Sequence, residues 1–297
     1  MSTPRKYSFV QLDVFTNKPL EGNQLAVFTD ARGLATGEMQ LLAKETNLSE
    51  TTFILPRDEA TEREHGFKVR IFTVNEELPF AGHPTLGTAY YLHKKTGLDT
   101  IDLDLKVGEI PVRFSTDNHG HLRGEMRQRD PEFGQVHSIE AVAEATGIPR
   151  EAFDAELPIQ TVSTGMPFVI TPLKSLEDMT KLNFNWMTAS EYLRKSDGKF
   201  FYFVTPETVS PEAKLHARMI FYNGEDPATG SAAGCCAAWA VQHGVLGSEE
   251  QGMIEQGLAI RRPSRIFIRA TKVGTGVTNV RVAGGVVQVS SGEFSLE

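Results

Sequence analysis

The chain has only two cysteines, and they are neighbours, Cys235 and Cys236. A trans peptide holds their Cα atoms about 3.8 Å apart, below the separation a disulfide needs, so no disulfide framework is available. Long apolar runs are also missing. None reaches the ~18 residues of a membrane span, and the start, MSTPRKYSFVQLDVF, lacks a signal peptide's apolar core and cleavage site. These absences predict a cytoplasmic protein with no membrane partner. Positive charge is in deficit as well: 30 Lys and Arg stand against 38 Asp and Glu, a net charge of −8. With no basic block to follow a phosphate backbone, nucleic acid is not an expected partner.

What is present is length and a repeat. At 297 residues and 40% hydrophobic content, the chain is about twice the usual length of one domain and can fill more than one core. Residues 70–92 (RIFTVNEELPFAGHPTLGTAYYL) resemble residues 218–240 (RMIFYNGEDPATGSAAGCCAAWA) at an offset of 218 − 70 = 148. Arg70 pairs with Arg218, Asn75 with Asn223, Glu77 with Glu225, Pro79 with Pro227, Gly82 with Gly230 and Ala89 with Ala237. Gly108 and Gly257 each promise a turn before two short strands, at an offset of 257 − 108 = 149. An ungapped offset shared by turn residues as well as apolar ones marks a duplicated domain. The polar stretch Gln128 to Pro131 divides the chain into domains of residues 1–130 and 131–297, with the final strand able to return to the first. Nearer the start, the pattern predicts strands at Phe9–Val14 and Leu25–Phe28, a helix from about Thr36, and a strand at Thr52–Leu55. Glu45 then falls near the helix C-terminal end, where the dipole mildly disfavours a carboxylate.

In each repeat a strand runs through a turn into a small-residue helix, so unpaired backbone N–H groups gather where the motif residues lie. Gly82 and His83 precede Pro84, a good first-turn residue, while Ser231 after Gly230 reads as an N-cap. Glycine admits a ligand closely and a helix N-terminus attracts anions, so the pair of starts suits a carboxylate. Other motifs fail. Five residues separate Gly224 from Gly230 with no lysine after them, which excludes a phosphate loop, and Gly274 with Gly276 lacks the third glycine of a dinucleotide fingerprint. His119 and His121 sit in a polar turn without a third ligand at metal spacing. No metal and no cofactor is expected.

The segments DVFTNKPLEGNQLAVF (Asp13 to Phe28), ETNLSETTF (Glu45 to Phe53), NEELPFAGHPTLGTA (Asn75 to Ala89) and GEDPATGSAAG (Gly224 to Gly234) resemble, in order, the signature blocks of the PhzF-like phenazine-biosynthesis family. The resemblance implies an α/β protein of two pseudo-symmetric domains, each a sheet rolled around a central helix as in diaminopimelate epimerase. It also implies an active site in the cleft between them and a homodimer. Position by position it puts the catalytic set on Glu45, His83 and Asp226. It puts the substrate contacts on Ser231, on the backbone around Gly82 and Gly230, and on Asn23.

The implied activity is a cofactor-free isomerisation that shifts a proton within a small carboxylate-bearing substrate. A carboxyl desolvated in a cleft has its pKa raised towards working pH and can both take and return a proton, the role expected of a buried Glu45. Diaminopimelate-type epimerases use two opposed thiols, whereas both cysteines here fall within one helix. The alternative activity is therefore an acid-pair epimerase of an amino or hydroxy acid. A non-catalytic small-molecule binder is the alternative of another class, though binding alone would not need a Glu, His and Asp set.

Overall fold

A computed structural model describes residues 4–221 and 224–297, and the chain divides into two compact units. Unit 1 runs to Met126 and regains Ala283–Glu297, while unit 2 is Arg127–Val282. Asn223, paired above with Asn75, lies outside the described residues.

The order in unit 1 is β1 (Arg5–Val14), β2 (Asn23–Phe28), α1 (Thr36–Thr46), β3 (Glu50–Ile54), α2 (Glu59–His65), β4 (Phe67–Phe72), β5 (Glu77–Leu78), α3 (Gly82–Thr96), β6 (Thr100–Leu105), β7 (Gly108–Thr116) and β8 (Leu122–Arg127). Unit 2 follows with β9 (Glu132–His137), α4 (Ile139–Thr146), β10 (Ile159–Ser163), β11 (Pro167–Pro172), α5 (Leu176–Thr180), α6 (Trp186–Leu193), β12 (Phe200–Thr205) and β13 (Leu215–Arg218). It continues through β14 (Ile220–Phe221), β15 (Gly224–Glu225), α7 (Gly230–Gln242), β16 (Gly252–Gln256), β17 (Ser264–Val273) and β18 (Gly276–Gly284), after which β19 (Val286–Leu296) belongs to unit 1.

Strand relations in unit 1 run β1–β2 antiparallel, β2–β3 parallel, β3–β4 antiparallel, β4–β6 parallel and β6–β7 antiparallel. Unit 2 repeats that series with β10–β11, β11–β12, β12–β13, β13–β16 and β16–β17. In unit 1, α3 packs against β1, β2, β3, β6, β7 and β19, and in unit 2, α7 packs against β10, β11 and β17. Each helix is a core element rather than a surface one. From Ala232 to Val241 every residue of α7 is buried, which a helix apolar on all sides requires. Gly108, the first residue of β7, and Gly257, just after β16, both have positive φ and precede two strands, β7 and β8 or β17 and β18.

A second core in each unit lies outside this helix-in-sheet layer. In unit 1, Met39, Leu42 and Ala43 of α1 pack on Tyr7, Phe28, Phe53 and Phe72. In unit 2, residues of α4, α5 and α6 cover Phe201 and Phe203 of β12. Helix α1 ends where Asn47 turns left-handed (φ 52), a conformation Asn tolerates better than most residues, and the chain re-enters the sheet at Glu50. That reversal separates Glu45, on the helix, from Glu50, on the strand.

Candidate active site

In unit 1, α3 begins at Gly82 without a side-chain cap, so its first N–H groups are not used up by a neighbouring residue. His83 stands in this first turn and is only 4% exposed. Burial pushes its pKa down to about 3, against an opposing contribution from a hydrogen bond to the Gln24 main chain. His83 is therefore a neutral imidazole near neutral pH. Its buried Nε2 makes no hydrogen bond and lies 3.5 Å from Glu50 Oε2. That separation is at the limit of a hydrogen bond, as catalytic pairs often are before substrate draws them together. Glu50 opens β3 with its side chain 17% exposed. Asn23 is the buried first residue of β2, one position before Gln24.

Glu45 is elsewhere. It is exposed on the last turn of α1, and lines a groove of about 470 Å³ with Glu38, Leu41, Leu42, Phe294 and Leu296. Neither His83, Gly82 nor Asn23 belongs to that groove. The desolvation expected for Glu45 is absent, because α1 buries Met39, Leu42 and Ala43 against the sheet and turns position 45 outward.

In unit 2, α7 also begins with a glycine, Gly230, and without a side-chain cap. The N-cap is Thr229, not Ser231 as the sequence suggested, and Ser231 sits in the first turn, the position His83 holds in α3. Thr229 does not cap because its hydroxyl is committed: it donates to Asp226 Oδ2 at 2.6 Å and accepts from Gln256 Nε2 at 2.9 Å. Gln256 is fully buried. Its Nε2 also donates to the Asp226 carbonyl (2.8 Å), and its Oε1 accepts from Tyr202 Oη (3.0 Å) and the Thr229 N–H (3.2 Å). With every polar atom of that amide occupied, the Asp226–Thr229 turn is locked. Gln128 reaches the same helix start, its Nε2 donating to the Gly230 carbonyl at 2.9 Å and its Oε1 accepting from Thr164.

Equivalent ion pairs tie both turns down. Arg70 grips Glu77 with Nε and Nη2, each at 2.8 Å, and Arg218 grips Glu225 with the same two nitrogens at 3.1 and 2.6 Å. Planar two-point contacts of this kind fix orientation as well as charge. Each joins the strand before its turn to the turn itself, so each helix start is held from upstream.

A family model described as "Phenazine biosynthesis-like protein" matches residues 12–292. The chain belongs to this family. Among the phenazine biosynthesis-like proteins, an uncharacterised isomerase of Mesorhizobium japonicum is 37% identical, across 97% of this chain and 99% of that one. The trans-2,3-dihydro-3-hydroxyanthranilate isomerase of Pseudomonas aeruginosa is 32% identical across 98% of this chain and all of the relative. A crystal structure of a PhzF-family phenazine biosynthesis protein from Bacillus anthracis superposes with a TM-score of 0.88 at 28% identity, covering 98% of this chain and 99% of that one. This phenazine biosynthesis-like protein is an isomerase.

Residues outside the motifs shape both helix starts. Glu50, which approaches His83, lies inside ETNLSETTF five positions after Glu45, and the local signal for its place is Asn47, a residue suited to ending a helix and so to placing Glu50 on the strand beyond. Gln256 and Gln128 gave no local signal. Both cysteines are fully buried, and burial pushes the Cys235 thiol up to about 11 and raises that of Cys236. Neither is a thiolate at neutral pH. Asp117 organises the His119 and His121 turn by accepting from both backbone N–H groups. Among the described residues no three His, Cys, Asp or Glu side chains gather as a metal site, and no helix is long and apolar enough to cross a membrane.

Proposed function

We propose that the protein isomerises a small carboxylate-bearing substrate by moving one proton, with Glu50 rather than Glu45 as the carrier and His83 beside it. The observation that carries this reading is the Glu50 Oε2 to His83 Nε2 approach of 3.5 Å between two shielded side chains. Glu50 takes the proton from a substrate carbon as a carboxylate and returns it, as a carboxylic acid, at another position of the conjugated system. The bond broken and the bond formed are both C–H, so no electrons leave the substrate and no co-reactant is consumed. His83, neutral through burial and with its ring proton on Nδ1, offers Nε2 as a hydrogen-bond acceptor without bringing a competing charge. The uncapped start of α3, where Gly82 removes side-chain bulk, suits the substrate carboxylate, and in unit 2 the start of α7 at Gly230 has the same character. Ser231 adds a hydroxyl to the start of α7, and Asp226, held by Thr229, is the acid of that unit. Buried high-pKa thiols support acid chemistry over the two-thiol route.

The substrate to try first is trans-2,3-dihydro-3-hydroxyanthranilate, the compound in the name of the Pseudomonas aeruginosa relative. Deuterium uptake from solvent into this acid is followed by NMR with wild-type protein, Glu50→Gln and Glu45→Gln. The expected result is a loss of at least ~10²-fold in Glu50→Gln and near wild-type exchange in Glu45→Gln. The reverse pattern would return the role to Glu45, and exchange surviving in both would remove glutamate from the mechanism.

A further inference from the structure

We infer that Asp13 is a positioning residue: its buried carboxylate holds the Phe15–Gly22 loop in a left-handed path that aims the Gln24 main chain at His83. Three residues in this short segment have positive φ, Phe15 (65°), Leu20 (69°) and Gly22 (70°). Glycine at position 22 is required twice over, since a Cβ there would collide with the Val14 carbonyl. Phe15 is buried, and its N–H and that of Thr16 donate to the Gly285 carbonyl at 2.8 and 3.2 Å. Leu20 has no such support from packing, because its side chain is 74% exposed. What holds Leu20 in a conformation that its Cβ disfavours is Asp13 Oδ2, which accepts the Leu20 N–H at 2.7 Å from a residue 1% exposed.

The loop matters to His83 through the ladder it closes. In the β1–β2 register Asp13 stands opposite Gln24, and Val14 opposite Asn23. Gln24 supplies the main-chain hydrogen bond to the His83 ring. Nε2 makes no hydrogen bond, so that bond falls to Nδ1 and selects one tautomer. Asp13 thus fixes both ends of the connection, Gln24 as its cross-strand partner and Leu20 by its carboxylate. A relaxed loop would let β2 slip at its first residues and leave the imidazole without a preferred tautomer.

The consequence for activity rests on the reaction proposed above, whereas the consequence for the ring does not. The test uses full-length protein with ¹⁵N-labelled histidine, the His83 signals being assigned by their loss in His83→Gln. Wild-type protein and Asp13→Asn, which keeps an acceptor, are expected to show one tautomer. Asp13→Ala is expected to show a mixture and to lose deuterium exchange into trans-2,3-dihydro-3-hydroxyanthranilate by roughly tenfold to a hundredfold. Adding Leu20→Gly to Asp13→Ala should restore the single tautomer, since glycine needs no restraint at positive φ. Should Asp13→Ala fail to fold, Leu20→Val at the exposed position raises the same strain and should produce the same mixture. An unchanged His83 signal in Asp13→Ala or Leu20→Val, or failure of Leu20→Gly to restore it, overturns the inference. Normal tautomer behaviour without exchange in the wild type would sink the proposed reaction and leave the role of Asp13 standing.

Discussion

Units 1 and 2 share a scaffold and differ in the polar residues set on it. Both carry the same run of strand relations, the same two-point Arg–Glu grip and a buried helix that starts uncapped at a glycine. On that common frame the first-turn residue is His83 in one unit and Ser231 in the other. The carboxylates come from unrelated places. Glu50 opens β3, whereas the carboxylate nearest the start of β12 is Asp197, which accepts from Thr161 and the Gln135 N–H and so serves the sheet. Asp226 lies in the turn before α7, where the position 148 residues earlier is Leu78. The duplicated features are those that shape and hold a helix start. The divergent ones are His83, Glu50, Ser231 and Asp226, the residues to which the proposed reaction assigns proton transfer and substrate contact.

The largest effects should come from breaking the shared frame. Arg218→Met leaves Glu225 buried without its partner and should cost about 3 kcal/mol of stability, as loss of one member of a buried pair does. Arg70→Met, whose partner Glu77 is more exposed, should cost about 1–2 kcal/mol. Equal losses in chemical denaturation would mean that the two grips are not graded by burial. Next, the first-turn residues should separate by kinetics. His83→Gln should lower turnover by roughly 10²-fold, while Ser231→Ala should act mainly on substrate binding, and matching KM and kcat changes in the two variants would erase the contrast.

The pH dependence of stability should divide the same two positions. Burial holds His83 at about 3, below its ordinary 6.5, so between these values the unfolded chain takes up a proton that the folded chain does not. Stability should fall as pH drops through that window and level off below it. His137 and His243, also lowered by burial, contribute in the same direction. Urea midpoints at about pH 7 and about pH 4 should therefore lie closer together in His83→Gln than in wild type, and unchanged in spacing for Ser231→Ala. The smallest effect is expected at the exposed turn, where His121→Ala should alter stability by no more than about 0.5 kcal/mol and leave exchange untouched.

Much of this arrangement was legible in the amino-acid order. The repeat predicted two helix starts because Arg, Glu, Pro and Gly recur at one spacing, and those residues act locally, within a single strand, turn and helix. The start of α1 at Thr36 followed from apolar periodicity, and the burial of Cys235 and Cys236 from a run of small residues. Choosing between Glu45 and Glu50 was beyond local reading, since they lie five positions apart and only the left-handed Asn47 sends one to solvent and the other towards His83. Gln256 meets Asp226 and Thr229 from thirty or so residues away, and Asp13 reaches His83 through the main chain of a neighbouring strand. Sequence alone determined which segments form the repeated frame, because turns and helix starts depend on neighbours along the chain. Tertiary structure alone decided which carboxylate faces the histidine and which amide locks the aspartate, because burial and hydrogen bonding depend on neighbours in space.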